Sequence, residues 1–321
     1  MPPQTTARPA ESPVPWLHDH PRDWRRGTLD AAALAAAAQA LCGRAGFDLE
    51  VRRFAACWLQ GYGSSPVLRT VMRNNARYVL LLACLWLDHA RDPAMPEVSV
   101  TPGRVLGFYE RIDHQLVVGG RSRIKTILGH VCAAGLLQPS EGRGDRRRRP
   151  LEPTPALREA MAGYVAGFLR GIEPALPLPA SPRAMVAAPG FIGELFTYRL
   201  AALLHDRYSI NQGLSPMTWV TNREKGYPLL QSLMRTLALQ PDGSALTRGV
   251  PQQMADLAGI SRGTARNFLQ ACVEQGWMQP HPQHVWQLQP AFMDAVMQWM
   301  GREFVWMHGL ACAAWDAVRT P

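Results

Sequence analysis

The 321 residues carry 34 Lys and Arg against 25 Asp and Glu, a formal net charge of +9. A chain of that length holds two ordinary domains, and the basic excess suits a polyanionic partner such as nucleic acid. Six cysteines (Cys42, Cys57, Cys84, Cys132, Cys272, Cys312) stand far apart in apolar helical stretches with no Cys-x-x-Cys pair. They suggest neither a disulfide framework nor a zinc site, and read as core residues.

Residues 1–28 are Pro-rich and polar, with no secretory signal, and are expected to be disordered. "HDH" (His18 to His20) falls in that stretch and is not read as a metal site. "YVLLLACLWLDHA" is too short to span a membrane, and Asp294, Arg302, Glu303 and Asp316 interrupt the apolar C-terminal run, so a cytoplasmic, nucleoid-associated protein is expected. After a leading helix, "GYGSSPVLRTVMRNNARYVLLL" (Gly61 to Leu82) gives a turn with Gly and Ser-Pro, then a long helix. "RIKTILGHVCAAGLLQP" (Arg123 to Pro139) is a helix whose apolar stripe leaves Arg121, Arg123, Lys125, Thr126 and His130 on the other face. A strand, a Gly-rich basic tip with Arg143 and Arg146, Arg147, Arg148 and Arg149, a returning strand to "LEPT" and a closing helix at Pro155-Ala156 follow.

"EPALPLPASPRAMVAAPG" (Glu173 to Gly190) is a linker by composition. Beyond it the same order returns. "NQGLSPMTWVTNREKGYPLLQ" (Asn211 to Gln231) aligns Ser215-Pro216 with Ser65-Pro66, Arg223 with Arg73 and, with one gap, Tyr227 with Tyr78. "TARNFLQACVEQGWMQP" (Thr264 to Pro280) aligns without a gap on Arg123 to Pro139, setting Gly276 on Gly135. "PAFMDAV" (Pro290 to Val296) matches "PALREAM" (Pro155 to Met161). Three matches in one order point to an internal duplication. The domains are therefore set at 29–172 and 190–321, separated by a linker at 173–189. Strands are expected only after Leu136-Leu137 and Trp277-Met278.

The second copy contains "QQMADLAGISRGTARNFLQACVEQGWMQP" (Gln252 to Pro280). Gly259 supplies the positive φ of a tight corner, Ser261 caps the helix that follows, and small Ala255 lets two helices approach. Ala265, Phe268, Leu269, Cys272 and Val273 form one apolar face of that helix. The opposite face carries Arg262, Thr264, Arg266, Asn267 and Gln270, groups able to bond base edges in a major groove. The first copy's basic face and tip suit phosphate better. The corner and its two helices resemble the turn motif of MarR- and GntR-type winged helices, with Ala255, Gly259, Ser261 and Thr264 in the characteristic places. The first copy's Asp145, Arg146 and Arg147 before "LEPT" resemble a MarR-type wing. Pro155-Ala156 depart from that family's Thr-x-x-Gly, and "RIDHQLVVGGRSR" is longer than its usual turn.

The fold class expected is mainly α with small β wings, as tandem duplicated winged helix-turn-helix domains. The resemblance implies sequence-specific binding of double-stranded DNA and transcriptional control, with one chain imitating a dimer. A plasmid-type replication initiator with tandem winged helices and a protein-interaction module are the alternatives. No Gly-rich phosphate loop follows a strand, and no nucleophile elbow or close carboxylate pair stands out, so an enzyme is not expected, nor is a cofactor or metal. The last helix is apolar around most of its circumference (Phe292, Val296, Trp299, Met300, Phe304, Trp306, Met307, Leu310, Trp315). One reading is packing against the other copy or the long helices. The other, implied by the resemblance, is a homodimer interface or the wall of a pocket for a small aromatic effector.

Overall fold

The computed structural model describes residues 29–90, 100–112, 121–140 and 150–319. Within them the chain is mainly helical with small antiparallel sheets. The first half contains α1 (Ala31–Cys42), α2 (Phe47–Ser64), α3 (Pro66–Val71), α4 (Asn75–His89), α5 (Pro102–Arg111), α6 (Arg121–Ala133), β1 (Leu137–Pro139), β2 (Leu151–Pro153) and α7 (Pro155–Ile172). The second contains α8 (Pro182–Ala187), α9 (Phe191–Leu204), α10 (Ser215–Asn222), α11 (Gly226–Met234), β3 (Ala238–Leu239), β4 (Ala245–Arg248), α12 (Pro251–Ala258), α13 (Arg262–Glu274), β5 (Met278–His281), β6 (Val285–Leu288) and α14 (Pro290–Arg319). The expectation of disorder in 1–28 lies outside the described residues.

Three expectations need correction. Each long helix after the Ser-Pro pair is two helices, broken at Met72 to Asn74 and at Arg223 to Lys225. Asn74 forces the first break by capping α4, its side chain accepting from Arg77 N–H at 3.1 Å. The Pro-rich linker contains a helix, α8, which Pro182 starts at a position where no backbone donor is needed and Ser181 caps. Strands also occur before the second turn motif: β3 and β4 form a hairpin over Asp242-Gly243, with Gly243 at φ 80°.

The two halves repeat their local bonding. Gly135 and Gly276 end α6 and α13 with φ of 69° and 72°. Leu136 N–H then bonds Val131 O, and Trp277 N–H bonds Cys272 O, the equivalent pair. Thr154 N–H reaches Leu136 O just before Pro155 opens α7; Gln289 N–H reaches Trp277 O just before Pro290 opens α14. Sheet order agrees as well. In the second half β4, preceding α12, pairs with the returning strand β6, which pairs with β5. In the first half Val100, preceding α5, bridges Leu151 on the returning strand β2, which pairs with β1.

The halves are not beads on a string. α4 packs on α9 while α11 packs on α2; α1 packs on α14 while α8 packs on α7. Each exchange has its reciprocal. Their shared interior is one aromatic core, with Phe54 against Phe168 and Phe304, and Tyr227 against Trp58 and Trp299. α14 is buried along nearly its whole length by α1, α9, α10 and α7 of its own chain, the packing expected of an all-round apolar helix. Cys84, Cys272 and Cys312 are buried and the other three cysteines half-buried, all six as free thiols. Burial pushes the Cys272 thiol up to about 12 and keeps it neutral.

Candidate nucleic-acid interface

The second turn motif is built as its residues require. Met254, Ala255 and Ala258 turn inward from α12. Gly259 ends that helix at φ 66°, ψ 51°, and Ile260 N–H bonds back to Ala255 O at 3.0 Å. Ser261 then opens α13, its Oγ accepting from Thr264 N–H at 3.1 Å and lying 2.9 Å from Thr264 Oγ1. Ala265, Phe268, Leu269 and Cys272 are buried beneath α13. Ser261, Arg262, Thr264, Arg266, Asn267 and Gln270 are all exposed. Gln270 Nε2 donates to Glu274 Oε1 at 3.3 Å, a contact at the helix's far end. Among the described residues, neither Arg262 nor Arg266 forms an ion pair. Thr264 and Ser261 hold each other and have a structural task besides any contact with a partner.

In the first half Ile124, Ile127, Leu128 and Val131 anchor α6. Arg121, Arg123, Lys125, Thr126 and His130 are exposed. An acid does stand beside this face: Glu110 on α5 pairs with Arg121 at 3.0 Å. Both partners are largely exposed, so the pair is worth little and can exchange for a phosphate. Thr126 Oγ1 is turned back to Ser122 O at 3.0 Å. The basic tip, Arg143 and Arg146 to Arg149, lies outside the described residues, as do residues 113–120 of the longer first turn; β1 and β2 on either side of the tip are paired.

The corresponding hairpin of the second half, β5 and β6, turns at Pro282 to His284 with Gln283 and His284 at φ 61° and 59°. His281 Nε2 lies 3.2 Å from Gln287 Oε1, and both histidines are exposed surface groups. Among the described residues no His, Cys, Asp and Glu group could hold a metal, and no helix is long and apolar enough to cross a membrane.

Two features were not singled out from sequence. The first is a cavity between the halves, partly open to solvent. Trp58, Tyr78, Tyr164, Tyr227, Trp299 and Trp306 wall it, and a buried pair, Arg199 Nη2 to Glu303 Oε1 at 3.4 Å, crosses its floor. The Arg199 guanidinium lies over Trp306 at 4.5 Å and over Tyr78 at 5.4 Å. Burial raises the Glu303 carboxyl, with Arg199 pulling the other way. Burial opposes the Arg199 charge, but Tyr78, Glu303 and Tyr164 raise its value on balance, so it stays cationic. Glu303 Oε2 and the Trp58 and Trp306 indole N–H groups are buried without hydrogen-bond partners. The signal in sequence was the alignment of Tyr78 with Tyr227. The second feature is a cluster of cations where the turns before α4 and α11 meet.

No protein-family model, curated protein or solved structure matches this chain.

Proposed function

We propose that the protein is a sequence-specific double-stranded DNA-binding regulator of transcription, built from two winged helix-turn-helix copies that act as a dimer within one chain. The observation that carries this is α13. A Gly-Ser corner holds it, Ala265, Phe268, Leu269 and Cys272 of its apolar side are buried with Val273 half-buried, and its outward side offers Arg262, Arg266, Asn267 and Gln270. Arg can bond guanine and Asn or Gln can bond adenine bidentately in a major groove. The matched glycines, matched strand order and reciprocal helix exchange support reading the halves as copies related by an approximate two-fold. α6, with Arg121, Arg123 and Lys125 outward, is the second recognition helix; the basic segment Arg143 to Arg149, expected from the sequence as its wing, lies outside the described residues.

The cavity between the copies supports an effector role for a small aromatic molecule, because its walls are aromatic and three buried polar atoms there lack partners. It also supports a chain that acts alone, since α14, the helix a homodimer would use, is covered from within. The test is a pair of titrations at fixed salt, on a duplex selected from a random pool and on its scrambled version. Asn267→Ala and Arg266→Ala should each cost about 1–3 kcal/mol on the selected duplex and far less on the scrambled one. An unchanged ratio of the two affinities would remove α13 as a base reader.

A further inference from the structure

The turn at Arg223 to Gly226 of the second half inserts into the first half. Lys225 is 1% exposed, sits at φ 58°, and donates its backbone N–H to Arg73 O. Its Nζ bonds Tyr62 Oη at 2.6 Å and also Arg69 O. Among the described residues no carboxylate bonds it. The charged groups around it are Arg69, Arg73 and Arg77, and burial together with these three pushes the lysine down to about 8. Tyr62, its hydroxyl partner, is itself raised by burial and stays neutral. At the seam Glu224, half exposed, pairs with Arg73. Arg73 Nε is buried with no hydrogen-bond partner.

The position of this cluster matters as much as its charge. On one side Arg77 lies close enough to Arg123 on α6 for the two cations to repel. On the other, Arg69 packs on the corner before α13: a methyl group on Gly259 would meet Arg69 Cδ at 3.2 Å. Four cations, with one carboxylate among them, thus bridge the bases of the two helices assigned to DNA. Uncompensated like charges at half-buried positions cost stability unless an anion joins them. From this juxtaposition we infer that Arg73 and Arg77, with Arg69 beside them and buried Lys225 beneath, form a third DNA contact, a backbone-phosphate site between the two recognition helices. Arg73 and Arg77 take the phosphate oxygens, and Lys225 holds the Arg69 and Arg73 turn in place from beneath. The inference rests on the DNA-binding reading.

Binding of a 30-bp duplex, measured against salt and pH, tests it. Arg73→Ala/Arg77→Ala should weaken selected and scrambled duplexes alike, about tenfold or more, and lower the log-log salt slope by about two. Arg77→Gln leaves the Arg73–Glu224 pair intact and should lower the slope by about one, with an unchanged thermal midpoint as proof of folding. Binding to the wild type should weaken between pH 7 and 9, by up to about tenfold, because the free protein loses the Lys225 proton over that window while the phosphate-bound protein keeps it. Lys225→Met should remove that dependence. If both arginine variants keep the wild-type slope while Arg123→Ala still weakens binding, the seam is not a site and the DNA reading stands. If the wild type retains no duplex at all, the DNA reading and the seam's occupant fall together.

Discussion

The two halves share an inner frame and differ in what they show to solvent. Around α13 the surface is compact: a four-stranded sheet, a short hairpin with His281 and His284 at its turn, and a helix face of Arg, Asn and Gln. Around α6 it is charged: the two short paired strands β1 and β2, and a face of Arg121, Arg123, Lys125 and His130. Equivalent glycines and equivalent backbone bonds underlie both. The frame fixes where each helix sits, and substitutions on it change only what the helix offers. Division of labour follows on the proposed reading, with sequence read by the second half and phosphate held by the first.

The largest effect should come from the interior that the halves have in common. Arg199→Met leaves Glu303 buried without its cation and should cost about 3–5 kcal/mol. Because α4 and α11 each pack on the opposite half, denaturant should unfold both in one transition; two separate transitions would show that the halves are independent. Next comes the comparison itself. Arg123→Ala should lower binding to selected and scrambled DNA together, in contrast to Asn267→Ala, which should act on the selected site. Matching profiles for the two variants would erase the division of labour. Replacing Arg146 to Arg149 by Ala should flatten the salt slope, and an unchanged slope would detach the first hairpin from DNA.

A smaller effect is expected at the corner: Ser261→Ala removes the cap on Thr264 N–H and should cost about 1 kcal/mol, read as a lowered denaturation midpoint. The least is at Lys225. Its folded value, about 8, lies below the 10.5 of a free lysine, so the unfolded chain holds more protons between those values. This group's contribution to stability therefore grows as pH rises from about 8 to about 10.5. Relative to Lys225→Met, the wild type should gain stability between pH 8 and 10; a constant difference would show a lysine of ordinary acidity.

What the sequence made legible was local. Gly259 and Ser261 have few other uses at that spacing, and α12, the corner and α13 form around them as expected. The apolar stripes of α6 and α13 predicted which residues turn outward, and each described member of that set is exposed. The β3–β4 hairpin had a signal too, Asp242-Gly243 between short apolar segments, but its strands of two and four residues are too short to show a period-2 pattern. Pro-rich composition concealed α8, where proline at the first turn starts a helix rather than preventing one. The exchange of α4 and α11, the cavity and the cation cluster were beyond reach. Arg69 and Lys225 are 156 positions apart, and only tertiary packing brings them together.

The central claim, one chain gripping duplex DNA with two unlike helices, is tested most directly by the mass and footprint of a single complex. A duplex recovered from a random pool should bind one chain per site, by light scattering, and show two protected half-sites of unlike sequence about one helical turn apart. Asn267→Ala should blur one half-site and leave the other unchanged. No retention of duplex at low salt, or a lone half-site bound by two chains, would contradict it.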